Sequence, residues 1–483
     1  MNQLLQDLYQ SFRSNSIRTC IVIDDKQYTY QDILELCNNI RFQLRKTSSQ
    51  NIGLSLTYDA EMYASLLAIW FEGKTYVPIH PDFPDERNLD IIKQASIDFI
   101  VSSQSLSEKI KTVIIDTKSI TKQDEILEFI PVSIDNYAYI LFTSGSTGVP
   151  KGVPITFSNL SYFVDSFNQS FGTINSEDKV LQMFELTFDM SVFSYLLPWL
   201  SGATMFGLNT KENKFLQILD LLEEDKLSVA FMVPSIINLI QPFLDGEVVN
   251  SSLRLNIFAG EPLLLKQTDI WRKFVPNAEV YNTYGPTENT IICTAYKITD
   301  QAKERYGILS IGKPMPHNDI RFENNEENEG ELLLGGKLLT NNYWKNEEKN
   351  KEAFTIVDGN RYYKTGDWCT RDEEGNIFFK NRIDFQAKIN GFRVELTEIE
   401  FFANQMDDSI LSVAMLVTDK SENNTIALFV NSLAYSEQEI LAQLKNSLPS
   451  YALPSKVVTL DKYPLNPSGK IDRNQLKNLY YEN

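Results

Sequence analysis

The chain has 483 residues, 43% hydrophobic and 23% charged, which is enough to bury a large core and too long for one compact unit. Its aromatic content of 12% excludes a disordered chain. Against 45 basic side chains stand 64 acidic ones, a net charge of −19, which argues against tracking a nucleic-acid backbone or adhering to an anionic membrane.

From the N-terminus, Thr29 to Asp32 forms a capping box, and Ile33, Cys37, Ile40 and Leu44 follow at helical spacing, which predicts an amphipathic helix over about residues 30–46. Ile52 to Leu56 reads as a strand. Asp59 is placed to cap a helix that Gly73 stops, and Tyr76 to Ile79 is extended again. The most apolar stretch, Tyr63 to Phe71, is too short to cross a bilayer, and the N-terminus lacks a secretion signal, so a cytoplasmic protein without membrane insertion is expected. Strand-like Phe99–Ser102, Thr112–Ile115 and Tyr137–Phe142 continue the alternation, giving an α/β class with largely parallel buried sheets.

Asn324 to Gly330 reads as a polar loop or hairpin before a strand at Glu331–Leu334. Past about residue 383 the pattern becomes α+β: a helix near Glu398–Met406, strands near Ser412–Val417 and Thr425–Val430, and a helix capped by Ser436 and closed by Pro449. A boundary at Asp384 separates domains 1–383 and 384–483.

The four cysteines, Cys20, Cys37, Cys293 and Cys369, form no C-x-x-C pair, and the only histidines are His80 and His317. That leaves little material for a disulfide framework, a zinc cluster or a Ser-His-Asp hydrolase. What does stand out follows strand Tyr137–Phe142: Thr143, Ser144, Gly145, Ser146, Thr147, Gly148, then Lys151-Gly152. Glycines allow close approach and positive φ, hydroxyls and N–H groups suit phosphate oxygens, and the lysine adds a cation. The spacing is not that of a Walker A loop, and Gly152 stands where its magnesium-binding hydroxyl would be.

This loop resembles that of the adenylate-forming superfamily of amino-acid-activating domains, acyl-CoA ligases and luciferases. Further motifs of that family follow in order: Asn282-Thr-Tyr-Gly-Pro-Thr-Glu288, Tyr363-Lys-Thr-Gly-Asp367, Arg382-x-Asp384-x-x-x-Lys388-x-x-Gly391 and Asn466-Pro-Ser-Gly-Lys470. The resemblance implies a large N-terminal domain of mixed and parallel sheets flanked by helices with a β-barrel-like subdomain, and a small mobile C-terminal domain. It also implies chemistry that joins a carboxylate to the α-phosphate of ATP, expels pyrophosphate, and passes the acyl group to a thiol.

By resemblance, Thr143 to Gly148 with Lys151 hold the β- and γ-phosphates, Thr147 and Lys151 among the catalytic groups, and Glu288 helps hold Mg²⁺. Tyr284 stacks near adenine, with Gly260, Glu261, Asn282 and Thr283 beside it. Asp367 accepts from the ribose hydroxyls, and Arg382 lies near the ribose or phosphates. Lys470 bridges the reacting carboxylate and the α-phosphate, where a point charge stabilises the developing anion. Asp384 is the hinge, and Gly391 belongs to the tunnel for a carrier's phosphopantetheine arm.

Phe188-Asp189-Met-Ser191 matches the segment in which amino-acid-activating members place an aspartate for the α-ammonium. The implied pocket wall of Met190, Phe193, Phe231, Ile257, Ala259, Thr283, Ile291 and Ile292 offers no partner for a charged side chain, so an uncharged one is expected. The motifs look most like stand-alone D-alanine:carrier-protein ligases, although Ala259 stands where those commonly have Cys. No carrier module follows Lys470, so the acceptor is expected in trans. The alternatives are an acyl- or aryl-CoA ligase and a catalytically silent nucleotide-binding relative.

Overall fold

The computed structural model describes residues 2–123, 125–144, 149–208, 213–224, 226–244, 251–323, 328–383, 386–407, 410–419, 423–432, 434–464 and 471–482. The chain divides into two compact units: Met1–Pro81 with Ile92–Phe142 and Gly152–Ile383, and Asp82–Ile91 with Thr143–Lys151 and Asp384–Asn483.

In the first unit, helix Tyr30–Leu44 starts at the Thr29/Asp32 capping box, and Asp59 accepts from the Met62 N–H to start helix Ala60–Phe71. Gly73, at φ +66°, lets the chain leave that helix for strand Thr75–Ile79. Ala60–Phe71 is buried on all sides, which explains its apolar sequence without a membrane. No described helix is long and apolar enough to cross one.

Two sheets carry the unit. One runs Val113–Asp116, Phe99–Ser102, Asn51–Ser55, Thr75–Ile79, Tyr137–Thr143, Lys151–Thr156, with parallel pairing from Val113–Asp116 through Tyr137–Thr143. The other has nine strands, with Glu279–Tyr284, Leu255–Phe258, Val229–Met232, Lys179–Gln182, Thr204–Gly207 and Thr19–Ile23 parallel, and antiparallel strands at both edges. Helices Ala60–Phe71 and Met190–Ser201 belong to one core, where Trp70 and Tyr195 lie 5.8 Å apart and the Tyr76 and Tyr195 hydroxyls are 2.9 Å apart. A third, antiparallel sheet joins Asn318–Phe322, Glu329–Gly336, Asn360–Arg371, Phe354–Val357 and Ile377–Arg382.

In the second unit, hairpin Gln386–Ile389/Phe392–Glu395 turns at Asn390 and Gly391, both at positive φ as a two-residue turn requires. A three-stranded sheet of Ser412–Thr418, Asn424–Val430 and Lys456–Thr459 packs with helices Leu396–Asn404 and Glu437–Lys445. Ser436 and Glu439 form the expected capping box. That helix ends at Lys445, and Pro449 instead caps the short turn Ser450–Ala452. Within the unit, Arg87 and Glu398 make a buried 3.0 Å ion pair.

Candidate functional site

The motifs of the first unit gather where parallel strands end. Phe258-Ala259-Gly260-Glu261 leaves strand Leu255–Phe258, and Asn282-Thr283-Tyr284 ends the neighbouring strand, at the carboxyl edge where open α/β sheets bind ligands. Asn282 donates to the Ser310 carbonyl at 2.9 Å, and Thr283 donates to the Phe258 carbonyl at 2.9 Å, so both side chains brace the strand ends. Gly260, at φ +90°, turns the chain so that Glu261 accepts from the Ser235 N–H at 2.9 Å.

Asp367 lies in strand Asn360–Arg371, directly across from Arg382, beside a register shift at Trp368/Cys369 that re-aims the strand. Its Oδ1 accepts from Arg382 Nη1 at 2.7 Å, and its Oδ2 accepts from the Tyr284 hydroxyl at 2.5 Å. Burial foremost, then the Asp367 charge, pushes the Tyr284 phenol well above its ordinary value, so it stays a donor.

Glu288, in the single turn Thr287–Asn289, is fully buried, contrary to what an isolated Glu suggests. Tyr343 donates to its Oε1 at 2.6 Å. No motif pointed to Tyr343; 55 residues of chain separate the two, and only an unassigned aromatic in a polar loop marked it. Among the described residues no group of three or more His, Cys, Asp or Glu could hold a metal. A single buried carboxylate nevertheless fits Mg²⁺, which is held by one or two carboxylates together with substrate phosphates.

After Glu288 the chain turns sharply. Thr290 and Ile291 have φ of +48° and +75°, and the Ile292 N–H donates to the Thr290 carbonyl at 3.1 Å, closing a γ-turn on a β-branched residue. Such backbone costs on the order of 1–3 kcal/mol per residue. Gly285 is required beside it, because a Cβ there would meet the Ile291 carbonyl oxygen at 2.4 Å.

Asp189 precedes helix Met190–Ser201 without making a side-chain cap bond. It is 6% exposed, and its Oδ2 has no hydrogen-bond partner. Burial, then the Glu288 charge, pushes its pKa up to about 7, opposed by hydrogen bonds from Thr287 and from the Met190 and Ile291 N–H groups. Met190, Phe193, Phe231, Ile257, Ala259, Ile291 and Ile292 are all buried and apolar. Phe231 lies edge-on to Phe193 at 4.9 Å and to Phe184 at 5.6 Å, and Phe184 was not anticipated as a neighbour.

In the second unit Lys151 is largely buried and pairs with Glu395 Oε1 at 3.2 Å, while Ser144 donates to the Arg393 carbonyl at 3.0 Å. Thr143 donates to the Lys151 carbonyl at 3.5 Å, and Gly391 is the second residue of the hairpin turn. Gly145, Ser146, Thr147, Gly148, Asp384 and Lys470 lie outside the described residues.

The profile of the AMP-binding enzyme family matches residues 9–344. The chain is 28% identical over 498 residues to the D-alanine–D-alanyl carrier protein ligase of Lactococcus lactis subsp. lactis (strain IL1403), covering 98% of each. It is 29% identical to tyrocidine synthase 2 of Brevibacillus parabrevis over 99% of its own length, while spanning only 14% of that relative. The Vibrio cholerae adenylation domain AlmE, solved in complex with glycyl-adenosine-5′-phosphate, shares the fold at a TM-score of 0.85 and 24% identity, with 100% of this chain and 98% of that one covered.

Proposed function

Since the chain belongs to the AMP-binding enzyme family and is therefore an adenylate-forming ligase, we propose that it activates an amino acid with an uncharged side chain as the aminoacyl adenylate. Pyrophosphate leaves, and the aminoacyl group passes to the phosphopantetheine thiol of a separate carrier protein. One observation carries the amino-acid assignment: the buried Asp189 carboxylate has an oxygen without a partner, and an α-ammonium is the cation that would complete it. The apolar residues of the expected pocket wall supply no charge for the substrate's side chain. Transfer in trans is supported by the Lactococcus relative, whose name pairs it with a D-alanyl carrier protein.

In this reading, residues 1–383 bind nucleotide and amino acid, and residues 384–483 carry Lys470. Thr143 to Gly148 and Lys151 hold the triphosphate. Asp367 takes the ribose, Tyr284 lies on the adenine with Gly260, Glu261, Asn282 and Thr283 beside it, and Lys470 supplies charge between the two reactants. Glu288 is the protein ligand for Mg²⁺, which when bound neutralises phosphate oxygens. Asp384 is the hinge that brings Gly391 toward the carrier's arm. The protein's task is to bring two anions together, so positioning and electrostatics replace a covalent enzyme intermediate.

ATP–pyrophosphate exchange over a panel of amino acids and simple carboxylic acids tests the reading, followed by loading of a phosphopantetheinylated carrier. Exchange with uncharged amino acids is expected. A signal confined to acids lacking an α-amino group would overturn it.

A further inference from the structure

Asp367 uses only part of its accepting capacity within the protein. A carboxylate offers about four acceptor positions, two on each oxygen. Arg382 takes one on Oδ1, and the Tyr284 hydroxyl takes one on Oδ2. One position therefore remains on each oxygen, enough to accept from both hydroxyls of a vicinal diol.

The carboxylate is also held against rotation. Arg382 stands across the strand from Asp367 and adds a 3.1 Å bond to the Thr365 carbonyl, while the Asp367 N–H donates to the Thr365 hydroxyl at 3.0 Å. Tyr284 approaches from a different sheet. Asp367 and Tyr284 are both buried, at 3% and 6% exposed, so water competes weakly for these bonds.

We propose that the Tyr284 hydroxyl, with Arg382 on the opposite oxygen, pre-sets Asp367 as a receptor for the ribose diol, making Tyr284 a positioning residue for sugar selectivity in addition to any stacking by its ring. This rests on the ATP-dependent reading above. The ring and the hydroxyl then have separable duties. The ring contributes to every adenine nucleotide alike. The hydroxyl contributes only where both sugar hydroxyls are present to use the orientation it imposes.

The test is calorimetric binding of AMP, 2′-deoxyAMP and 3′-deoxyAMP to the full chain and to Tyr284→Phe, which keeps the ring. The unaltered protein is expected to prefer AMP over a deoxy analogue by about tenfold or more, the scale of one hydrogen bond to a charged group. Tyr284→Phe is expected to weaken AMP by about tenfold and leave the disfavoured analogue within about twofold, so that the preference collapses. Equal weakening of all three ligands, or unchanged AMP affinity, would overturn the assignment. If Tyr284→Phe does not fold, Asp367→Asn acts on the acceptor itself; retention of the ribose preference in that variant overturns the proposal equally. Nucleotide binding without discrimination by the unaltered protein sinks the Tyr284 role alone. No adenine nucleotide binding at all sinks the ATP reading beneath it.

Discussion

The side of the site assigned to the nucleotide and the side assigned to the amino acid treat their carboxylates in opposite ways. Asp367 receives Arg382 and Tyr284, and Glu288 receives Tyr343, all from within the protein. Asp189 is buried too, yet one of its oxygens receives nothing, and burial raises it to about 7. The first two are oriented before any ligand arrives. The third carries an uncompensated desolvation cost that a cationic ligand would remove, which under the proposed function is the source of selectivity for an α-ammonium.

Breaking the deficit should have the largest effect. Asp189→Asn is expected to lower kcat/KM for amino acids by on the order of a hundredfold or more, the scale of a buried charge pair losing one partner. Pyrophosphate exchange measures it; unchanged amino-acid turnover would remove the assignment.

The same group gives a pH dependence. Between its unfolded value of about 3.9 and about 7, Asp189 holds its proton in the folded chain and not in the unfolded one, so rising pH removes stability across that window. The ligand-free protein should therefore lose stability from this group up to about pH 7 and no further. Amino-acid affinity should rise as the carboxylate ionises. Melting curves with and without substrate check both, and Asp189→Asn should flatten them.

On the other side, Tyr343→Phe removes an orienting donor and is expected to raise the Mg²⁺ concentration needed for exchange by about tenfold. Magnesium titrations with direct Mn²⁺ binding distinguish this from general destabilisation, which would leave the metal requirement alone. Gly285→Ala presses a methyl group on the Ile291 carbonyl and is expected to cost about 1–3 kcal/mol, read by denaturant melts. It should weaken amino-acid binding more than nucleotide binding, because the turn it disturbs supplies the Ile291 N–H to Asp189. Smallest is Ser436→Ala, a lost helix cap worth about 1 kcal/mol in the second unit, seen in melts and expected to leave both ligand affinities unchanged.

Much of the fold was legible because its signals are local. The caps at Thr29, Asp59 and Ser436 act within three residues of themselves, and strand Phe99–Ser102 announces itself by a short apolar run. The same holds for the motif residues, whose order along the chain names a chemistry. Tyr343 was invisible because its partner Glu288 is distant in sequence, and nothing in a lone tyrosine says which carboxylate its hydroxyl will meet. Arg382 was expected near the ribose or phosphates, and its cross-strand seat opposite Asp367 depends on a strand register that a bulge sets.

Residue order thus sufficed for the α/β class, for the helices and strands with local start and stop signals, and for the type of side chain available to the reaction. Packing alone decided that Asp189 and Glu288 lie buried within each other's field, and that one oxygen of Asp189 goes unmatched. The reason is that propensity and motif spacing are carried by neighbours along the chain, whereas desolvation and hydrogen-bond satisfaction depend on whatever distant segments close around a group once folding is complete.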